Sequence, residues 1–158
     1  MIRKMAKQDI PTVVDIYQEG IDTGMATFET IAPTPVQWDM KFHNELRYVY
    51  EENGVVLGWI SVTPISSRKV YKGVAEISIY VRKTASGKGI GSALFEVLCE
   101  ESKRLGYWML QSSIFEKNIT SISLHEKVGF RLVGIREKIA KRNGHWHNTV
   151  LMEKRLVE

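Results

Sequence analysis

Three glycines alternate within residues 86–92, which read Ser-Gly-Lys-Gly-Ile-Gly-Ser. The preceding run, residues 75–81, alternates in polarity as a strand does, and an amphipathic helix is predicted to begin near Ile90. Glycines at such a junction leave backbone N–H groups uncovered, and a helix N-terminus adds unpaired donors and a partial positive charge. The segment therefore predicts a strand–loop–helix unit whose loop binds an anion such as a phosphate group.

Periodicity and turn residues divide the chain into elements in the order β-α-α-β-β-β-α-β-α-β-β. Asp9 is expected to cap the first helix, and a second helix is predicted to start at Thr34 and to carry apolar residues through Leu46. The Asn-Gly pairs at 53–54 and 143–144 predict hairpin turns, because both residues tolerate positive φ. No repeat or linker interrupts this order, so we expect residues 1–158 to form a single domain of the mixed α/β class.

The composition is that of a globular protein, with 44% hydrophobic and 25% charged residues among 158. No apolar run approaches the roughly 20 residues that cross a membrane, and the N-terminus lacks the apolar segment of a signal peptide. The single Cys99 excludes an intramolecular disulfide. We therefore expect a cytoplasmic protein that does not bind membranes.

The net charge of +4 is mildly basic and favours anionic ligands. The positive residues are scattered, and no basic stripe interleaved with aromatic residues is present. Nucleic acid is therefore not expected as a partner.

Two familiar phosphate-binding motifs do not fit the glycine segment. A P-loop requires Gly-Lys followed by Ser or Thr, whereas Gly89 follows Lys88 here. The dinucleotide fingerprint would place its third glycine at Ser92, and it belongs to the first strand of a βαβ unit rather than to a strand after an antiparallel meander.

The chain resembles the GNAT superfamily of N-acetyltransferases in two motifs. Gly89 and Gly91 fill the glycine positions of motif A, Gln/Arg-x-x-Gly-x-Gly/Ala, although Ser86 stands where Gln or Arg is usual. Residues 118–130 resemble motif B, including its ending in Gly-Phe. The resemblance covers nearly the whole chain and implies a central, mostly antiparallel, twisted sheet flanked by helices.

Four further segments resemble the phosphinothricin and methionine sulfone/sulfoximine acetyltransferases within that superfamily. They are Thr-Phe-Glu-Thr at 27–30, Arg68 with Tyr71, the strand at 76–81 and Gly-His-Trp-His at 144–147. The resemblance implies an acyltransferase that moves acetyl from acetyl-CoA to the α-amine of a small amino acid or analogue. It also suggests a homodimer, because such relatives often dimerise.

The resemblance assigns the acetyl-CoA site to two parts of the chain. The strand edge would meet the acetyl and pantetheine groups, and the glycine segment would hold the pyrophosphate. The implied residues are Ile79, Tyr80, Val81, Gly87, Lys88, Gly89, Ile90, Gly91, Ser92 and Asn118. A helix cap is an equally good interpretation of Asn118.

Glu76 and His125 are the candidate catalytic residues. An amine attacks only when neutral, and an α-amine is roughly one-tenth neutral at pH 7, so a general base matters. Glu76 lies on the strand that leads to the glycine segment, and the resemblance assigns it this role; the alternative is a solvated carboxylate. His125 stands where many relatives have a tyrosine that protonates the leaving thiolate, and a histidine packed at the edge of the core is equally compatible with the sequence.

The acceptor site is predicted around Arg68, because guanidinium binds carboxylates and phosphinates in a bidentate manner; a surface arginine is the alternative. The resemblance adds Phe28, Glu29 and Tyr71, while Asn143 replaces a histidine that many relatives carry. No metal is expected, since His145 and His147 have no further ligands nearby. A peptide or protein N-acetyltransferase and a non-catalytic acyl-CoA-binding regulator remain as alternatives, although Glu76 argues against a pure binder.

Overall fold

The computed structural model describes residues 1–158 and contains seven strands and four α-helices. The strands are β1 (Ile2–Lys4), β2 (Arg47–Glu52), β3 (Val55–Pro64), β4 (Val74–Val81), β5 (Met109–Phe115), β6 (Arg131–Arg142) and β7 (His145–Arg155). The helices are α1 (Ile10–Asp22), α2 (Pro35–Lys41), α3 (Ile90–Arg104) and α4 (Ile119–Lys127), with 3₁₀ turns at Lys7–Asp9, Lys69–Tyr71 and Lys83–Ala85. The predicted order of strands and α-helices is confirmed.

All seven strands form one sheet in the order β1-β2-β3-β4-β5-β7-β6. Every neighbouring pair is antiparallel except β4 and β5, which are parallel. This mixed, mostly antiparallel sheet flanked by helices confirms the predicted fold class. The two Asn-Gly turns also form as predicted, with Asn53 and Asn143 at φ 52° and 51°.

Each face of the sheet buries its own apolar cluster. The larger cluster joins α3 to β3, β4, β5 and β7 and includes Ile60, Leu94 and Leu110. The smaller one joins α1 and α2 to the opposite face, where Trp59 contacts Trp38 edge to face at 5.3 Å. Successive residues of β3 thus supply opposite cores, as strand alternation requires.

Two local expectations need correction. The second helix ends at Lys41 rather than near Leu46, because Phe42 adopts an extended conformation and His43 Nδ1 accepts the N–H groups of the two residues before Arg47. Asp9 precedes α1 but does not cap it, since its carboxylate accepts from Arg3 and from the Ala6 N–H instead.

Strands β4 and β5 pair only over Val74 to Glu76 and Met109 to Gln111. Beyond that point β4 continues beside β3 as far as Val81, and β5 continues beside β7 as far as Phe115. The sheet is therefore open between residues 77–81 and 112–115, and this gap is called the fork below. No helix combines the length and apolar character needed to span a membrane.

Candidate active site

The fork exposes backbone hydrogen-bonding groups of β4. The Arg82 N–H donates to the Leu57 carbonyl of β3 at 2.8 Å. Because backbone groups alternate in direction along a strand, every second residue before Arg82 also directs its N–H and C=O groups towards β3. Ile79 and Val81 consequently direct N–H and C=O into the fork, whereas the backbone of Tyr80 faces β3. Two of the three predicted strand residues thus offer a backbone edge to an amide-containing ligand.

The glycine segment lies at the open end of the fork. Gly87 and Gly89 have φ values of 80° and 76°, and a Cβ at either position would meet no atom within 4 Å. None of the N–H groups of residues 87–92 donates to an acceptor in the chain. The first bond of α3 is the one from Ala93 to the Gly89 carbonyl, at 3.1 Å. Six consecutive donors at a helix N-terminus fit a pyrophosphate.

Side chains around the segment support the same assignment. The Ser92 Oγ is buried without a hydrogen-bond partner, and Lys88 is exposed beside the free N–H groups. Glu19 of α1 binds both the Arg82 side chain, at 3.1 Å, and the Lys83 N–H, at 2.6 Å, which fixes the end of β4. Gly91 has a different role, because a Cβ there would lie 2.6 Å from Leu124 Cδ2 of α4.

Glu76 lies at the closed end of the fork, in the last residue pair that joins β4 to β5. Strand alternation directs Glu76, Ser78 and Tyr80 to the face that carries α1. The Glu76 carboxylate is half-buried, and its Oε1 accepts a hydrogen bond of 3.2 Å from Gln111 Nε2. A carboxylate in this position can take a proton from a group bound in the fork.

The loop between α1 and α2 reaches the far side of the fork. Phe28 packs against Phe115 at the end of β5, with ring centroids 4.6 Å apart, and His147 of β7 lies 4.7 Å from Phe115. Asn118 Nδ2 donates to the Met25 carbonyl at 3.4 Å, which ties the loop to α4. The aromatic cluster can form the apolar wall of a small-molecule site.

Helix α1 packs against β4 through two aromatic residues. The rings of Tyr17 and Tyr80 stack, with centroids 4.7 Å apart, and Thr27 Oγ1 accepts the Glu29 N–H at 3.1 Å. Burial raises the pKa of the Tyr80 hydroxyl, so it stays protonated and remains a donor. Glu29, two residues beyond Thr27, is exposed.

Arg68 and Tyr71 lie in the segment between β3 and β4. The Arg68 guanidinium stands over the Tyr71 ring, with Cζ 5.6 Å from the centroid, and both side chains are exposed. No hydrogen bond or ion pair joins them to Phe28 or Glu29. The four predicted acceptor residues thus belong to two connecting segments, the one between α1 and α2 and the one between β3 and β4.

His125 is enclosed in the core between α4 and β5. Its side chain is 2% exposed and contacts Phe95 and Phe130 edge to face. Nδ1 lies 2.7 Å from the Ser121 carbonyl, which can only accept, so Nε2 accepts from the Ser112 hydroxyl at 2.9 Å.

Burial lowers the pKa of His125, and both ring nitrogens already have partners. A neutral, enclosed imidazole has no proton to give to a leaving thiolate. This geometry favours the packed histidine over the general acid that the sequence also allowed.

Asn118 caps α4, because its Oδ1 accepts the Ser121 N–H at 3.2 Å. Sequence reasoning did not single out Gln111 as a neighbour of Glu76. The pairing of Gln111 with Glu76 depends on the register of the parallel strands β4 and β5, and no local sequence pattern encodes that register. The sequence offered His147 as a metal ligand and as part of the segment 144–147, and the structure places its ring in the aromatic cluster.

The comparisons with known proteins agree with this geometry. Residues 13–130 match the family described as Acetyltransferase (GNAT) family. A Bacillus subtilis protein, provisionally named a phosphinothricin acetyltransferase, is 34% identical over 98% of both chains. The L-methionine sulfoximine/L-methionine sulfone acetyltransferase of Pseudomonas aeruginosa is 26% identical over 96% of this chain and 92% of its own.

Two solved structures extend the likeness to three dimensions. The phosphinothricin acetyltransferase of Sinorhizobium meliloti, solved with acetyl-CoA, has a TM-score of 0.88 at 27% identity and covers 98% of this chain and 87% of its own. The ribosomal-protein-alanine N-acetyltransferase of Brucella melitensis has a TM-score of 0.89 at 27% identity and covers 98% and 99%.

Proposed function

This chain belongs to the GNAT acetyltransferase family, and we propose that the acceptor of its acetyl group is the α-amine of a small amino acid or analogue. The acceptor class is that of phosphinothricin, methionine sulfone and methionine sulfoximine. The observation that carries acetyl transfer to a bound amine is the position of Glu76 at the closed end of the fork, on the strand that leads to the six free N–H groups. The choice of an amino acid as acceptor is supported by the likeness to the relatives named above. One ligand can thus be held by its phosphates while its acyl end reaches a carboxylate.

The reaction we propose is direct transfer between two bound substrates. The acceptor amine loses a proton to Glu76 and attacks the thioester carbonyl carbon, so that a C–N bond forms as the C–S bond breaks. An α-amine is roughly one-tenth neutral at pH 7, and a positioned base typically contributes about 10²- to 10⁴-fold. The thiolate leaves with the bonding electron pair and takes its proton from water, because His125 is enclosed.

Each substrate has a proposed set of ligands. The pyrophosphate of acetyl-CoA is assigned to the N–H groups of residues 87–92, with Lys88 and Ser92 beside them, and the pantetheine arm to the backbone of Ile79 and Val81. Phe28 and the aromatic cluster would receive the acceptor side chain. Arg68 would bind the acceptor carboxylate or phosphinate.

A second acceptor class, the N-terminal amine of a peptide, is favoured by the likeness to the ribosomal-protein-alanine N-acetyltransferase. The fork itself offers both classes the same carboxylate. The two proposals differ in what lies beyond the α-carbon, where a peptide continues as a chain and an amino acid ends in a carboxylate.

An acceptor panel tests the proposal. The protein is incubated with acetyl-CoA, a thiol reagent and either phosphinothricin, methionine sulfone, methionine sulfoximine or peptides that begin with alanine. We expect saturable CoA release with the amino-acid analogues and none with their α-N-acetylated forms. Release with peptides alone would support the second class, and acetyl-CoA binding without release would identify a binding protein.

A further inference from the structure

Gln111 is the neighbour of Glu76 across the last paired position of β4 and β5. Directly opposed residues place their side chains on the same face, so the amide of Gln111 and the carboxylate of Glu76 meet where the strands part. Their separation, 3.2 Å from Nε2 to Oε1, is a hydrogen bond. No other hydrogen bond or ion pair reaches the Glu76 side chain.

The chemistry of the pair fixes the orientation of the amide. An ionised carboxylate only accepts hydrogen bonds, so the NH₂ end of Gln111 must face Glu76. One carboxylate oxygen is then engaged, and the other has no partner in the chain. A base held by one oxygen keeps the second in a defined direction, which is what proton transfer in a bound complex requires.

Glu76 belongs to a row of five residues that lie side by side on neighbouring strands of the sheet, and this row contains two further charged groups. The strand registers align Thr63, Glu76, Gln111, Glu153 and Arg131 on β3, β4, β5, β7 and β6. The second carboxylate in the row, Glu153, is ion-paired with Arg131. Gln111 therefore separates two carboxylates, of which only Glu76 lacks a cation.

We propose that Gln111 is a positioning residue that holds the Glu76 carboxylate at the closed end of the fork, with one oxygen bound and the other directed to the acceptor amine. This inference rests on the proposed function, in which Glu76 is the base. It assigns to Gln111 no contact with either substrate. Its effect on the reaction passes entirely through Glu76.

The test replaces Gln111 and, as a matched control, the other strand neighbour of Glu76. Gln111→Met keeps length and removes the donor, while Thr63→Val keeps shape at a position that makes no hydrogen bond to Glu76. The readouts are the kcat and KM for the acceptor, the KM for acetyl-CoA and the midpoint of thermal unfolding. Each change is also made in the Glu76→Gln background.

We expect Gln111→Met to lower kcat about threefold to tenfold, because the carboxylate is then no longer held in one direction. The KM of Gln111→Met for acetyl-CoA and the kcat of Thr63→Val should stay as in the wild type. In the Glu76→Gln background, Gln111→Met should cause no further loss.

A wild-type kcat for Gln111→Met would overturn the role of Gln111 while leaving that of Glu76 intact. An equal loss in both backgrounds would also overturn it, because the effect would then not pass through Glu76. Wild-type turnover by Glu76→Gln would instead contradict the proposed function, and the role of Gln111 with it.

Discussion

His125 shows how a single buried side chain links folding to pH. Its imidazole is neutral in the folded chain, where Ser112 and Ser121 satisfy both nitrogens and burial lowers the pKa. Once the chain unfolds, the ring returns to an ordinary pKa of about 6.5 and binds a proton more readily. His43, whose Nδ1 accepts two backbone N–H groups, has a pKa lowered in the same direction by burial.

The neutral imidazole of His125 therefore contributes to the free energy of unfolding in full above about pH 6.5, and this contribution should be lost as the pH falls below that value. Urea titrations between pH 7.5 and 5.5 measure this slope. We expect His125→Gln to flatten it and His145→Gln, a change at an exposed position, to leave it unaltered. A slope in His125→Gln equal to that of the wild type would contradict the assignment.

At the scale of elements, helix α3 begins and ends at glycines with similar backbone conformations but different functions. Gly89 precedes the first turn at φ 76°, and Gly106 follows the last turn at φ 95°. A Cβ added at either position would meet no atom within 4 Å. Only Gly89 belongs to the run of free N–H groups. An alanine at either position strains the backbone, so a comparison of the two variants distinguishes the effect of strain from an effect on ligand binding.

Gly89→Ala and Gly106→Ala should both lower the stability by about 1–2 kcal/mol, because alanine tolerates the left-handed region poorly. Only Gly89→Ala should weaken acetyl-CoA binding, which isothermal titration calorimetry measures. Equal dissociation constants for the two variants would show that the first turn of α3 does not hold the phosphates.

The elements that the sequence predicted are those with strong local signals. The Asn-Gly turns, the Thr34 cap and the Asn118 cap depend on neighbouring residues, and all four form as expected. The early end of α2 was missed because tertiary contacts decide it: Phe42 is buried against Trp38 and Trp59 in an extended conformation that no helical pattern predicts.

For the molecule as a whole, the topology brings together residues that are distant in sequence. The parallel pairing of β4 with β5 places Gln111 beside Glu76, and the loop after α1 brings Phe28 to Phe115. Strand alternation predicted which face Glu76 occupies, but not what lies opposite it, because register depends on long-range pairing.

The account requires that the carboxylate of Glu76 act in turnover and not in acetyl-CoA binding. Glu76→Gln keeps the size of the side chain and can still pair with Gln111, so the fold should be retained. The most direct measurement is the kcat of Glu76→Gln in acceptor-dependent CoA release, together with its dissociation constant for acetyl-CoA. We predict a fall in kcat of about 10²-fold or more with an unchanged dissociation constant; a kcat equal to that of the wild type would contradict the account.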